Sequence, residues 1–158
     1  MKFKNLKTYV ISALIALAVG GLSALLSMGS MQVYNELAVK PPLSPPAVLF
    51  PIVWSVLYTL MGISAARIWL SPASEARSRG LNLYIAQLIV NFFWSLLFFN
   101  AQAFALAAIW LILLWVLVLL LIVQFWKVDR LAALLQIPYL FWLTFAAYLN
   151  IAVWILNR

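Results

Sequence analysis

The side chains that could do chemistry in this 158-residue chain are few, and most of them are aromatic or amide groups. The sequence has no histidine and no cysteine, which removes the usual general base, the usual haem ligand and most transition-metal ligands. The three carboxylates, Glu36, Glu75 and Asp129, fall in predicted loops or at predicted helix ends. No acid–base or nucleophile constellation is present. We therefore expect no metal site and no resident cofactor.

Trp54 and Tyr58 follow directly after a proline-rich segment, residues 41–46. They are four residues apart, so on a helix they share one face. One interpretation is a pair of lipid-facing aromatic residues at the membrane interface, where Trp and Tyr are enriched. Their position beneath the prolines favours the other interpretation, an apolar ligand pocket lined by aromatic rings.

A second stripe of side chains follows a later helix at positions i, i+3, i+7 and i+10: Tyr84, Gln87, Asn91 and Trp94. Gln87 and Asn91 lie inside an apolar segment, where an unpaired amide is costly, so we expect both to face the interior of a helix bundle. They could bind a ligand, or they could only join helices through a hydrogen bond of ~0.6–2 kcal/mol. We give the two hypotheses equal weight.

A matching stripe near the C-terminus contains Tyr139, Trp142, Ala146 and Asn150. Ala146 would leave a smooth wall one turn from Trp142, against which a flat ring could lie. The alternative is close helix packing through a small residue. For Ala146 alone that alternative is at least as good.

The elements that position these residues are membrane helices. Hydrophobic residues make up 68% of the chain and charged residues 8%, against roughly 25% charged in soluble domains. We predict an all-α integral membrane protein, a single five-helix bundle. A spanning helix needs roughly 20 apolar residues, and the predicted helices are about 8–28, 46–70, 81–99, 103–126 and 131–156, with residues 29–45 as a lid loop. The lid is predicted because prolines cannot continue a helix.

The positive charges predict the orientation of the bundle. Eight fall on one side of the five spans: Lys2, Lys4, Lys7, Arg67, Arg77, Arg79, Lys127 and Arg130. Lys40 and Arg158 fall on the other side. The positive-inside rule then predicts a cytoplasmic N-terminus in a bacterial-type inner membrane. The net charge of +7 is thus a topology signal, and we expect no nucleic-acid partner.

Two helices carry further patterns. Small residues repeat every four positions on the first helix, at Ser12, Ala16, Gly20 and Ala24. Such a ridge lets another helix approach closely, either within the chain or across a homodimer. The leucine-rich fourth helix, with Trp110, Trp115 and Trp126, is predicted to be a lipid-facing wall without chemistry.

Three motifs in order resemble the TspO/MBR family of tryptophan-rich sensory proteins and translocator proteins. They are Lys40-Pro41 and Pro45-Pro46 followed by Trp54 and Leu57-Tyr58-x-x-Met61-Gly62; Leu83-Tyr84-x-x-Gln87-Leu88-x-x-Asn91-x-x-Trp94; and Pro138-Tyr139-Leu140-x-Trp142-Leu143-x-Phe145-Ala146-x-x-Leu149-Asn150. The resemblance implies a pocket role for Trp54, Asn91, Trp142 and Ala146, and Tyr34 matches the tyrosine of the family's first loop. The C-terminal sterol motif of vertebrate members is not matched.

The resemblance implies a membrane receptor or sensor that binds a porphyrin or a similar planar ligand, with porphyrin as ligand rather than cofactor. Lys40 could then meet a propionate. Two alternatives stay open. One is light- and oxygen-dependent porphyrin degradation through Trp54 and Trp142, and the other is a small transporter. The expected partners are the porphyrin-like molecule, membrane lipid and a possible second copy of the chain.

Overall fold

Five long helices form the part of the chain that the computed structural model describes, which is residues 3–158, with the backbone alone for Phe3 and Lys4. The helices are α1 Phe3–Leu37, α2 Leu49–Trp69, α3 Glu75–Ser95, α4 Phe104–Trp126 and α5 Arg130–Leu156, and a π-helical segment, Leu96–Asn100, continues α3. Each of the five is long and apolar enough to cross a membrane. The predicted all-α, five-helix membrane fold is confirmed.

Helix α1 is longer than the sequence analysis predicts, since it ends at Leu37 and not near residue 28. Residues 29–37 are more polar than the preceding span, but they contain no proline, and polarity alone does not end a helix. Tyr34 packs edge-on against Phe98 and Phe99, which holds this last part of α1 on the bundle. The lid predicted at 29–45 is therefore the shorter loop 38–48.

Helices α2 and α3 begin at different residues from those predicted. Helix α2 starts at Leu49, after Pro46, and its internal Pro51 lies in the first turn, where backbone N–H groups have no intrahelical partner. Helix α3 starts at Glu75 and not at residue 81, because Ser74 caps it by accepting a hydrogen bond from the Arg77 N–H. A serine followed by an acidic residue is typical of a helix N-terminus, so Ser74 and Glu75 could have predicted the start of α3.

The two ends of the bundle carry different loops. The loop 38–48, the α3–α4 connection and the C-terminus lie at one end, which we call the lid end. The α2–α3 and α4–α5 loops lie at the other, the basal end. There, Asp129 caps α5 by accepting from the Leu131 and Ala132 N–H groups and pairs with Arg67 at 2.9 Å. Lys2, counted in the predicted cytoplasmic charge cluster, lies outside the described residues.

Helices α1 and α2 pack backbone against backbone. A Cβ added at Gly62 would lie 2.4 Å from the Cα of Ala13, so only glycine fits. The Ser12 hydroxyl donates to the Gly62 carbonyl at 2.7 Å, and Ala16 is fully buried. The small-residue ridge of α1 is thus used within the chain, and a homodimer would need another face.

Helix α4 is part of the packed bundle and not only a lipid-facing wall. One face of it is buried, including Leu111, Leu114 and Leu121. The Trp110 indole donates to the Val90 carbonyl of α3 at 2.7 Å, and the Trp115 indole donates to the Thr144 hydroxyl of α5 at 2.9 Å. Other residues of α4, such as Ile109 and Ile112, are exposed. Trp110 and Trp115 are half-buried between helices, which periodicity in a uniformly leucine-rich helix does not reveal.

Candidate ligand-binding site

A cavity of about 240 Å³ lies at the lid end of the bundle. Aromatic rings and small side chains from α1, α2, α3, the π-helical segment and α5 form its wall. Seven residues predicted for the site line it: Tyr34, Trp54, Tyr58, Asn91, Trp94, Trp142 and Ala146. The helix geometry thus brings three separate sequence stripes to one space.

Trp54 and Trp142 form one wall of the cavity. Their ring centroids are 6.4 Å apart and their planes are inclined by 87°, an edge-to-face arrangement. Trp54 also lies 5.5 Å from the ring of Tyr58, and Phe50 packs edge-on against Trp142 at 5.8 Å. Phe50 lies one turn before Trp54 on the same face of α2. The helical spacing could therefore have predicted that Phe50 also lines the cavity. This wall offers aromatic faces and edges to a flat ligand.

A buried amide–phenol network lies beneath the cavity and reaches it only through Asn91, and we call this network the floor. The Asn91 side-chain N–H donates to the Tyr139 hydroxyl at 2.9 Å, and that hydroxyl donates to Gln87 Oε1 at 2.8 Å. Gln87 and Tyr139 are almost completely buried and do not line the cavity, whereas Asn91 does. The two hypotheses for the amides therefore separate: Gln87 joins helices, and Asn91 joins helices and also faces the cavity. Tyr139, predicted as a ligand contact, lies behind the wall.

The π-helical segment adds two phenylalanines that the sequence analysis did not name. Phe98 stacks on Trp94 at 5.1 Å, and Phe98 and Phe99 both line the cavity. Phe98 continues the α3 stripe one turn beyond Trp94, so its spacing gave a signal. Phe99 does not follow that spacing; π-helical turns insert one residue and occur often at functional sites.

The lid loop is fixed to α5 by side-chain hydrogen bonds. Asn157 accepts from the Val39 N–H at 2.9 Å and donates to the Val39 carbonyl at 2.8 Å. The Tyr148 hydroxyl donates to the Pro42 carbonyl at 2.8 Å. Lys40 lies against Tyr34 at 5.6 Å and donates to Asn35, so its ammonium group stays near the mouth of the cavity. The lid thus closes the cavity with its backbone anchored at two points.

Part of the cavity wall is exposed. Ala24 of α1, Ala47 of the lid loop and Pro51 in the first turn of α2 line the cavity and are also exposed. Ser23, the neighbour of Ala24 on α1, is buried and donates to the Phe92 carbonyl of α3 at 2.9 Å. We call the exposed part of the wall at Ala24, Ala47 and Pro51 the lateral opening.

The polar groups of the site are amides, hydroxyls and indole N–H groups. Trp94 donates to Asn150 Oδ1 at 3.0 Å, and Asn150 donates to the Phe104 carbonyl at 2.8 Å, which fixes the Trp94 ring against α5 and α4. No group of three or more His, Cys, Asp or Glu side chains that could hold a metal ion occurs among residues 3–158 that the structure describes. The site is built for apolar recognition with a few hydrogen bonds.

Comparison with known proteins agrees with this architecture. The family model "TspO/MBR family" matches residues 12–155. The chain is 42% identical to Protein CrtK of Rhodobacter capsulatus over 139 residues, which is 87% of this chain and 85% of that protein. It is 33% identical to the tryptophan-rich protein TspO of Chlorobaculum tepidum over 158 residues, 98% of each chain.

A eukaryotic relative is also similar. The chain is 39% identical to the translocator protein of Sus scrofa over 117 residues, 73% of this chain and 69% of that protein. The region that the family model matches, residues 12–155, includes most of the five helices. The protein is therefore an integral, multi-pass membrane protein, and the chain belongs to the TspO/MBR family.

Proposed function

We propose that this protein binds a porphyrin, or a similarly planar and amphipathic tetrapyrrole, in the cavity beneath the lid loop and acts as a receptor or sensor for it. The observation that carries the proposal is the Trp54–Trp142 wall at 6.4 Å, contributed by two different helices to one cavity. Flat macrocycles gain from contact with aromatic faces and edges.

The polar groups around the cavity suit such a ligand. Asn91 stands on the floor, where it can donate to or accept from one edge of a macrocycle. Lys40 and the Tyr34 hydroxyl stand near the lid, where a carboxylate substituent would keep its charge close to water. A ligand lying between them would have an apolar body and a charged rim.

The size of the cavity sets a condition on the binding mode. Pockets for drug-sized ligands are usually about 300–1,000 Å³, and this one is about 240 Å³. A macrocycle must therefore extend into the lateral opening or displace the lid. Residues Ala24 and Ala47 leave room for it there, because both are small and exposed.

The direct test is a titration of the purified protein with protoporphyrin IX in the dark, followed by quenching of tryptophan fluorescence. We expect saturable quenching that weakens in Trp54→Phe and Trp142→Phe. Trp69→Phe on α2 and Trp154→Phe on α5 are matched controls, because both indoles are exposed and outside the cavity. Equal affinity in all five proteins would refute the proposal.

The same protein under light separates receptor from enzyme. Loss of porphyrin absorbance under illumination, dependent on Trp54 and Trp142, would favour degradation. The structural observation that motivates this alternative is the position of both indoles in one wall of the cavity. Porphyrin flux in proteoliposomes would favour transport. Dark binding without loss of absorbance and without flux is the outcome expected of a sensor.

We also propose that the basal end faces the cytoplasm in a bacterial-type inner membrane, and that lipid surrounds the bundle. Six described cationic side chains stand at or near that end: Lys7, Arg67, Arg77, Arg79, Lys127 and Arg130. Lys40 and Arg158 stand at the lid end. The split follows the positive-inside rule.

A further inference from the structure

Buried polar atoms without a protein partner are concentrated below the ligand cavity. Among the described residues, five buried side-chain nitrogen or oxygen atoms have no hydrogen-bond partner. Four of them belong to Tyr84, Gln124 and Gln136, and the fifth is the Ser27 hydroxyl of α1. None of Tyr84, Gln124 and Gln136 lines the cavity. Four of the five unpartnered atoms therefore belong to residues outside the cavity wall.

Tyr84 and Gln136 occupy corresponding positions on α3 and α5. These two helices run in the same direction, because each follows an antiparallel partner in the chain. The hydrogen bond from Tyr139 to Gln87 fixes their relative height. Tyr84 is three residues before Gln87, and Gln136 is three residues before Tyr139, so both lie one turn nearer the basal end.

Both side chains lie on the buried faces of their helices. Gln136 lies on the buried stripe of α5 with Ala132, Tyr139 and Leu143, and Tyr84 lies on the buried stripe of α3 with Gln87. Gln136 is fully buried and Tyr84 is 7% exposed. One turn nearer the lid end, side chains bridge α3 and α5, since Tyr139 of α5 is hydrogen-bonded to both Asn91 and Gln87 of α3.

Gln124 extends this polar region towards the basal surface. A Cβ added at Gly80, one turn before Tyr84 on α3, would lie 3.7 Å from the Gln124 Cβ of α4. Gln124 Oε1 is buried without a partner. Gln124 therefore lies at the height of Gly80, one turn nearer the basal end than Tyr84.

The energetics require a partner for these groups. A buried amide or hydroxyl without a hydrogen bond costs roughly 1–3 kcal/mol, and Gln136 has both its amide nitrogen and its oxygen in that state. A buried water molecule usually makes 2–4 hydrogen bonds to such groups. Tyr84 and Gln136 together offer one hydroxyl, one amide N–H₂ and one amide oxygen.

We propose that Tyr84 and Gln136 form an internal water-binding site between α3 and α5, one turn below the floor of the ligand cavity. The Asn91–Tyr139–Gln87 network separates this site from the cavity. Water held there gives the basal half of the bundle a hydrated polar interior, which continues towards Gln124.

The test is hydroxyl-radical labelling by X-ray radiolysis of the full-length protein in lipid nanodiscs, read out by mass spectrometry. A water molecule bound beside a ring produces radicals that modify that ring. Tyr139 is the internal control, because it is also buried, at 1% exposed against 7% for Tyr84, and its hydroxyl is fully hydrogen-bonded within the protein. We expect Tyr84 to be labelled clearly more than Tyr139. Labelling of Tyr84 at the level of Tyr139 would overturn the proposal.

A variant shows whether the label at Tyr84 depends on Gln136. Gln136→Leu keeps the volume and removes the amide, so labelling of Tyr84 should fall to the level of Tyr139, while the ligand cavity still binds its probe, protoporphyrin IX. Gln136→Met is a second variant of similar volume if the leucine variant does not fold. Unchanged labelling of Tyr84 in a folded variant would also overturn the proposal.

Discussion

Trp54 of α2 and Trp142 of α5 meet at a centroid separation of 6.4 Å although 88 residues separate them in the chain. Helices α2 and α5 run in opposite directions, and the indoles meet although Trp54 is the sixth residue of α2 and Trp142 the thirteenth of α5. Tyr139 also touches Trp54 edge-on at 6.1 Å, so the pair rests on the cavity floor.

The first prediction concerns this pair. Trp54→Phe and Trp142→Phe should each weaken porphyrin binding, by about 2- to 10-fold if each ring contributes ~0.5–1.5 kcal/mol. The two effects should be non-additive, because both rings touch one ligand. The measurement is a fluorescence or absorbance titration of the folded variants. Additive losses would indicate that the rings bind separate molecules.

The second prediction separates the two amides of α3. Asn91→Leu should lower both thermal stability and ligand affinity, because Asn91 lines the cavity and also bonds to Tyr139. Gln87→Leu is the matched control: it loses a bond to the same tyrosine but does not line the cavity. We expect each to cost ~0.6–2 kcal/mol of stability, and only Asn91→Leu to change affinity directly. Equal loss of affinity in both would assign the effect to the network alone.

The third prediction concerns the contact of α1 with α2. Gly62→Ala should destabilise the bundle, because the new Cβ meets the Ala13 backbone at 2.4 Å and neither helix can move without losing other contacts. Overpacking of this kind typically costs ~1–3 kcal/mol. Gly21→Ala on α1 meets nothing within 4 Å and should be neutral or slightly stabilising. Thermal unfolding in detergent checks both, and an unchanged midpoint for Gly62→Ala would contradict the close packing.

The fourth prediction concerns the lid. Asn157→Ala removes two hydrogen bonds to Val39 and should loosen the lid without changing the cavity wall. We expect faster porphyrin dissociation in stopped-flow displacement and faster proteolysis of loop 38–48. Asn82→Ala, at an exposed position of α3, is the control. Identical dissociation rates in the two variants would show that these bonds do not limit ligand release.

The fifth prediction concerns orientation. A reporter fused after Arg158 should be extracytoplasmic, and one inserted near Ser74 should be cytoplasmic, because the positive residues cluster at the basal end. The measurement uses paired phosphatase and fluorescent-protein fusions in a bacterial inner membrane. The opposite pattern would reverse the proposed orientation.

The all-α, five-span architecture and most of the residues of the cavity wall could be predicted from the sequence. Apolar length alone defines membrane helices, because a backbone in lipid must satisfy its own hydrogen bonds. Helical spacing then placed Trp54 with Tyr58, and Asn91 with Trp94, on single faces. Those faces could be predicted because aromatic and amide residues at helical spacing are easily distinguished from the aliphatic residues around them.

Which residues of each stripe line the cavity, and which do not, depends on how the helices pack together. Gln87 and Tyr139 share their stripes with true lining residues, but they are turned to each other across the bundle, a pairing between distant parts of the chain. The contribution of Phe99 depends on the π-helical segment, which alters the register locally. The length of α1 depends on Tyr34 packing against Phe98 and Phe99. Periodicity describes one helix at a time, whereas each of these features arises from contacts between helices.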